Sequence, residues 1–268
     1  MQKTQGRKRI RGIFQTLIFV LLSAFCILLE FLDIPYLKDE FQNRILGLLI
    51  QQLCGAAAAI LLMNYLGIKA FQKPEKLLFL LPYLLVAVNN LPFSTYFNGK
   101  MQLIHASVLD FSLFFGYCMA VGLFEECVFR GMIFSALAGY FSNDKRGFLK
   151  TYFLSSVLFG LAHLFNGLSL NTLLQVAYTI LTGGLFAFCF IKTKNLLCPV
   201  LVHGLYNFCG LLFDVQGLGT GVVFDLNTVI ITIIIGVLAG IYVLYNVFAY
   251  SERECRDLYK RLGVEDKR

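Results

Sequence analysis

Stretches of about 20 apolar residues follow one another along almost all of this 268-residue chain, separated by short polar connections. A helix advances about 1.5 Å per residue, so each stretch is long enough to cross a hydrocarbon layer about 30 Å thick. Side chains that are 58% apolar and only 15% charged agree with a chain whose main solvent is lipid. Spans are expected near Ile13–Leu32, Ile45–Leu66, Leu77–Pro92, His105–Ala138, Leu149–Phe165, Leu170–Ile191, Leu196–Phe213 and Val222–Tyr250. The expected fold is therefore all-α: a polytopic bundle of about eight transmembrane helices, forming a single membrane-embedded domain over residues 1–268. The fourth stretch exceeds one crossing, so it is either tilted or begins with an interfacial piece near Met101–Ala106. Pro82 and the Asn89–Asn90 pair interrupt the third.

Positive charge sets the expected orientation, because cytoplasmic connections retain Lys and Arg. The amino-terminal tail, the segment holding Lys69, Lys73 and Lys76, the connection with Lys145, Arg146 and Lys150, the pair Lys192 and Lys194, and the carboxy-terminal tail take nearly all of the 23 cations. Opposite connections hold Lys38, Arg44 and Lys100. Both termini are thus expected in the cytoplasm. The net charge of +7 borders the spans rather than filling one groove, which points to membrane lipid as a partner and to no nucleic acid. The first span lacks a small-x-small cleavage site and reads as a retained helix rather than a secretory signal. Eight cysteines show no CxxC spacing and read as small buried hydrophobes.

Ionisable side chains inside lipid are costly unless they pair or face water, so each is a candidate for function. The densest group is Glu125-Glu126-x-x-x-Arg130 within the fourth span. Glu126 and Arg130, four residues apart, share a helix face and can pair, whereas Glu125 points about 100° away and is free to aim elsewhere. The bland alternative ends the span at residue 124 and makes Val128–Ala138 a loop, but that segment is again apolar. Two of the three histidines fall in the middle of apolar spans: Phe159-x-x-x-His163 and His203-x-x-x-Asn207. The spacing sets Phe159 beside His163, and Asn207 beside His203. Counted at about 1.5 Å per residue, Glu125, His163 and Asn207 lie at depths of roughly 17–21 Å and His203 nearer 12 Å, compatible with one buried pocket. A carboxylate there can take a proton from water, an amide can donate to an oxyanion, and imidazoles can orient water, protonate a leaving amine or bind a metal. His105, Asp110 and Asp225 sit near span ends and read as interfacial or capping residues, while Gly183, Gly184 and Gly204 read as points of close helix contact.

Glu125-Glu126-x-x-x-Arg130, Phe159-x-x-x-His163 and His203-x-x-x-Asn207, in this order, resemble the three signatures of the CAAX protease and bacteriocin-processing (CPBP, or Abi) family of intramembrane proteases. The resemblance covers about residues 105–215, with every motif position filled. It implies an eight-helix fold around a buried site and an endopeptidase activity. Glu125 would then be the general base, assisted by His163; His203 and Asn207 would steady the oxyanion; Glu126 and Arg130 would hold the site. The motifs leave a metal open: Glu125, His163 and His203 would be its ligands if a divalent ion such as zinc is bound, although HExxH is absent.

Short connections suit a bacterial plasma membrane, which points to a membrane-associated or leader-bearing peptide as substrate. The alternatives are a non-catalytic bacteriocin-immunity or partner-binding scaffold of the same family, and a proton-coupled transporter using the same carboxylates. Nothing in the sequence fixes the oligomeric state.

Overall fold

The computed structural model describes residues 37–91, 93–98, 106–212 and 226–263. The first expected span and both termini lie outside the described residues, as do His105 and Asp225. In chain order the helices are α1 (Glu40–Leu66), α2 (Leu80–Asn89, entered through a 3-10 turn at Leu77–Phe79), α3 (Phe93–Phe97), α4 (Val108–Glu126), α5 (Phe134–Tyr140), α6 (Lys145–Ala162), α7 (Leu170–Thr193), α8 (Leu197–Gly210), α9 (Leu226–Phe248) and α10 (Glu252–Arg261). A π-helical segment, Cys127–Ile133, joins α4 to α5, so the fourth span is one rod of 33 residues over Val108–Tyr140. At about 50 Å it exceeds a bilayer and must tilt. Among the described residues there is no strand, only an isolated antiparallel bridge between Phe71 and Asn195.

Local chemistry marks the helix ends. Asp39 accepts from the Gln42 N–H at 2.9 Å at the start of α1, and Gly67, at φ 73°, ends it in the left-handed region. Ser107 and Asp110 form a reciprocal capping box at α4, so Asp110 is a capping residue, and it also accepts from Gln42 Nε2 at 2.8 Å. Asp144, Ser169 and Ser251 cap α6, α7 and α10.

Five described helical stretches are long and apolar enough to cross a membrane: Glu40–Leu66, Val108–Tyr140, Lys145–Asn166, Leu170–Thr193 and Leu226–Phe248. The third and seventh expected spans are shorter than read, at Leu77–Asn89 and Leu197–Gly210. The 14 residues of α8 reach only about 21 Å. Its end meets Asn90, whose amide donates to the Tyr206 carbonyl at 2.9 Å. A Cβ on Gly210 would lie 2.1 Å from that amide nitrogen. Asn90, of the pair that interrupts the third span, thus packs against the end of the seventh.

Central in the bundle is α7, with two thirds of its apolar window buried. It packs against α6, while α4 packs against both α1 and α8, and α2 against α8. Exposed Ile230, Ile231, Ile233, Ile234, Val237 and Leu238 cover α9, an outer surface suited to lipid rather than water. The basic connections gather at one end. There Lys145 Nζ donates to the carbonyls of Val247 at 3.1 Å and Phe248 at 2.7 Å, and to that of Tyr250, closing the end of α9. Lys194 pairs with Glu75 at 2.6 Å at the same end.

Candidate active site

The site begins with a close approach of two backbones. An added Cβ on Gly122 of α4 would lie 2.9 Å from the Gly204 nitrogen, and one on Gly204 of α8 would lie 3.0 Å from the Met119 Cα. Paired glycines let helices touch at the backbone. One turn beyond Gly122, Glu126 meets His203, the neighbour of Gly204. Gly204 therefore acts as the close contact expected of it; Gly122 has the same role, and the sequence reading passed over it.

Glu126 is fully buried, and its Oε1 accepts twice, from Arg130 Nη1 at 2.9 Å and from His203 Nδ1 at 2.9 Å. The expected Glu126–Arg130 pair thus forms, across the π-helical segment. A π turn widens the helix by a residue and is a recurrent feature of functional sites. Arg130 is 2% exposed and reaches across to α7, where its Nη2 donates to the Gly183 carbonyl at 2.7 Å. Its guanidinium carbon stands 4.2 Å from the centre of the Phe159 ring, a cation–π contact that offsets part of the cost of burial. A Cβ on Gly183 would lie 2.8 Å from that same ring. Gly183 therefore gives Phe159 its space and Arg130 its acceptor.

Glu125 takes no part in the Glu126–Arg130 pair and, as its 100° offset allows, faces another group. Its Oε2 lies 3.8 Å from Nε2 of His203, so adjacent carboxylates address the two nitrogens of one imidazole. The ring nitrogens lie on different edges, which lets diverging side chains each face one of them. With Nδ1 held by Glu126, the tautomer carrying its proton there presents the Nε2 lone pair toward Glu125. Phe186 of α7 stacks on the His203 ring at 4.7 Å and 20° and fixes its plane. Nothing in the sequence periodicity had singled out Phe186. Glu125 Oε2 and Glu126 Oε2 are both buried without a hydrogen-bond partner. The Glu125 side chain as a whole is nonetheless 27% exposed, whereas Glu126 is fully buried.

His163 lies in the last turn of its span rather than the middle. It caps α6 and opens a 3-10 turn, His163–Asn166, that Gly167 ends at φ 104°. Its Nδ1 bonds the Phe159 carbonyl at 3.0 Å, leaving Nε2 for other partners. Phe159 packs beside it as expected, with ring centres 5.3 Å apart, and the same phenylalanine lies 5.8 Å from His203. One aromatic ring thus brings both imidazoles to the same region. Asn207 is half-buried, one turn beyond His203 on α8. Among the described residues no three of His, Cys, Asp and Glu come together in a group that could hold a metal ion. The set of Glu125, His163 and His203 does not fit such a site in this arrangement. Acid–base chemistry is what these residues offer by themselves.

Residues 107–209 match the family described as type II CAAX prenyl endopeptidase Rce1-like. The protein described as CAAX prenyl protease 2 of Saccharomyces cerevisiae is 28% identical over 100 residues, 32% of this chain and 32% of the yeast protein. The matched region is thus about a third of that curated relative's length. No solved structure matches the chain. The matched region contains all seven motif residues from Glu125 to Asn207, and over it the resemblance to the CAAX protease and bacteriocin-processing family is borne out.

Proposed function

We propose that the chain is an intramembrane endopeptidase in which Glu125 activates water for attack on a peptide carbonyl. Glu125 takes a proton from the water as the water oxygen bonds to the carbonyl carbon, and the carbonyl oxygen becomes an oxyanion steadied by the Asn207 amide and by His203 in the form that carries a proton on Nε2 as well as on Nδ1. The C–N bond then breaks as the proton passes to the leaving amine, assisted by His163. Glu126, bridging Arg130 and His203, acts as a positioning residue and holds the imidazole by its Nδ1–H. The observation that carries this reading is the buried, unpartnered Oε2 of Glu125 facing Nε2 of a histidine whose other nitrogen is already engaged. The substrate we favour is a membrane-associated or leader-bearing peptide in a bacterial plasma membrane, since a site enclosed by lipid-facing helices is most easily reached by chains already at the bilayer.

The test is cleavage of a membrane-inserted peptide by the full chain in detergent micelles. Glu125→Gln removes the base while keeping the shape and should lower kcat by about 10²–10⁴-fold. Unchanged turnover in both Glu125→Gln and His163→Ala overturns the assignment. A chelator should leave the rate unaltered; a rate lost to EDTA and restored by zinc overturns the carboxylate-only mechanism.

A further inference from the structure

At the basic end of the bundle, a cavity of about 110 Å³ is lined by Lys76, Lys192, Lys194 and Arg261, with Glu254 and Asp257 in its wall. Lys192 lies nine residues beyond Gly183, about 13 Å farther along α7, so the cavity is distinct from the candidate active site. Four cations face one small space against Glu75, Glu254 and Asp257, an excess of positive charge.

Several features set these cations apart. Lys76 and Lys194 have φ of 51° and 60°, and among the described residues they are the non-glycine residues in the left-handed region. Such backbone is uncommon for a residue with a Cβ and is kept where the surroundings demand it. The Lys192 ammonium, 11% exposed, lies 4.8 Å from the Tyr250 ring, 5.3 Å from Phe188 and 5.8 Å from Phe79, and only 3.8 Å from Glu254. Arg261 spends Nη2 on a long bond of 3.4 Å to the Ile191 carbonyl, while its Nη1 is buried with no partner. Lys76 makes no ion pair among the described residues. A guanidinium nitrogen without a hydrogen-bond partner and an ammonium outside any ion pair thus belong to residues lining a space with room for a few waters, at about 30 Å³ each.

We propose that this cavity binds a phosphate group, supplied either by an anionic lipid headgroup at the membrane edge or by a free phosphate ion. Arg261 and Lys76 are its direct donors, and Lys192 and Lys194 set the surrounding potential. A tetrahedral oxyanion fits the donor set because planar guanidinium and point-charge ammonium engage different oxygens of one group.

The experiment follows thermal unfolding of the full chain in three settings: phosphatidylcholine nanodiscs, the same discs with a fifth of the lipid replaced by phosphatidylglycerol, and phosphatidylcholine discs with millimolar inorganic phosphate, each matched in ionic strength with chloride. Lys76→Gly is the main variant, because it deletes the ammonium and relaxes the left-handed turn; Arg261→Gln is the second. A midpoint raised by about 3 °C or more in the phosphatidylglycerol discs alone identifies a lipid source, and one raised by inorganic phosphate a free-ion source. In either case Lys76→Gly should weaken the apparent affinity by at least about tenfold. No shift with either probe, or an equal shift in wild type and Lys76→Gly, overturns the proposal.

Discussion

The closest contact between α4 and α8 gives the sharpest test of how the site is held. Gly122→Ala places a Cβ 2.9 Å from the Gly204 nitrogen and 3.1 Å from the Val200 carbonyl oxygen, both backbone atoms that cannot swing aside. Ordinary contact needs about 3.5 Å or more, so the two helices must part by roughly 0.5–1 Å at this point. Glu126 follows one turn later, and its 2.9 Å bond to His203 Nδ1 spans the same gap. Stretched by that amount, the bond reaches about 3.4–3.9 Å, at or beyond the limit of useful hydrogen bonding. Overpacking of this kind costs about 1–3 kcal/mol, and a catalytic group displaced by about 1 Å loses up to about 10²-fold in rate. The identical substitution elsewhere provides the control. A Cβ on Gly116 of the same helix would meet Leu49 at an ordinary 3.6 Å, and Gly236 and Gly240 of α9 have nothing within 4 Å. Gly116→Ala, Gly236→Ala and Gly240→Ala should be neutral or slightly stabilising, since alanine is the better helix former. Peptide cleavage and thermal unfolding of all four variants decide the matter. If Gly122→Ala cleaves at the wild-type rate and melts with the controls, the glycine contact does not position His203.

Arg130→Met should destabilise the protein by about 3–5 kcal/mol, because it leaves the buried Glu126 carboxylate without its guanidinium partner, with only the His203 Nδ1 bond remaining. The double variant Glu126→Gln with Arg130→Met should recover much of that stability in denaturant melts; a double variant less stable than Arg130→Met alone contradicts the pairing. At the basic end, pH dependence follows from three carboxylates. The Lys194 ammonium holds Glu75 below its ordinary value, and the Ser142 hydroxyl and Gly147 N–H do the same for Asp144. Burial raises Glu254, but hydrogen bonds from Ser251 and the charge of Lys192 leave it net lowered. Depressed carboxylates contribute stability above their unfolded pKa of about 4, and it is lost as pH falls through the lower folded values. The melting midpoint should hold from pH 7 to about 5 and fall below that, with a shallower fall in Asp144→Asn; an unchanged slope in that variant refutes the capping role.

The sequence was most legible where one constraint dominated. Long apolar stretches left the backbone no partner but itself, so the helical class and the positions of α1, α6, α7 and α9 could be read directly. Each motif pair was read as sharing a helix face, and that held for Glu126 with Arg130 and for Phe159 with His163. Less legible were the ends of the short helices: the last turn of α8 meets Asn90, more than a hundred residues earlier, which donates to its Tyr206 carbonyl. The group that Glu125 faces was also not legible, since a wheel drawn on one helix cannot show that an imidazole on another presents an edge to each of two carboxylates. His163 was read as lying in the middle of its span, whereas it opens the 3-10 turn that ends it.

By itself the sequence determined that this is an all-α membrane protein with two acids, an arginine, two histidines and an asparagine embedded in apolar helices, because those facts depend only on composition and spacing along one chain. The tertiary structure alone decided that Gly122 meets Gly204, that Arg130 reaches the Gly183 carbonyl, that Phe186 lies flat on His203, and that four distant cations face one cavity. Each depends on the rotation and separation of neighbouring helices. Those are set by steric fit summed over the whole contact, a quantity that no local pattern encodes.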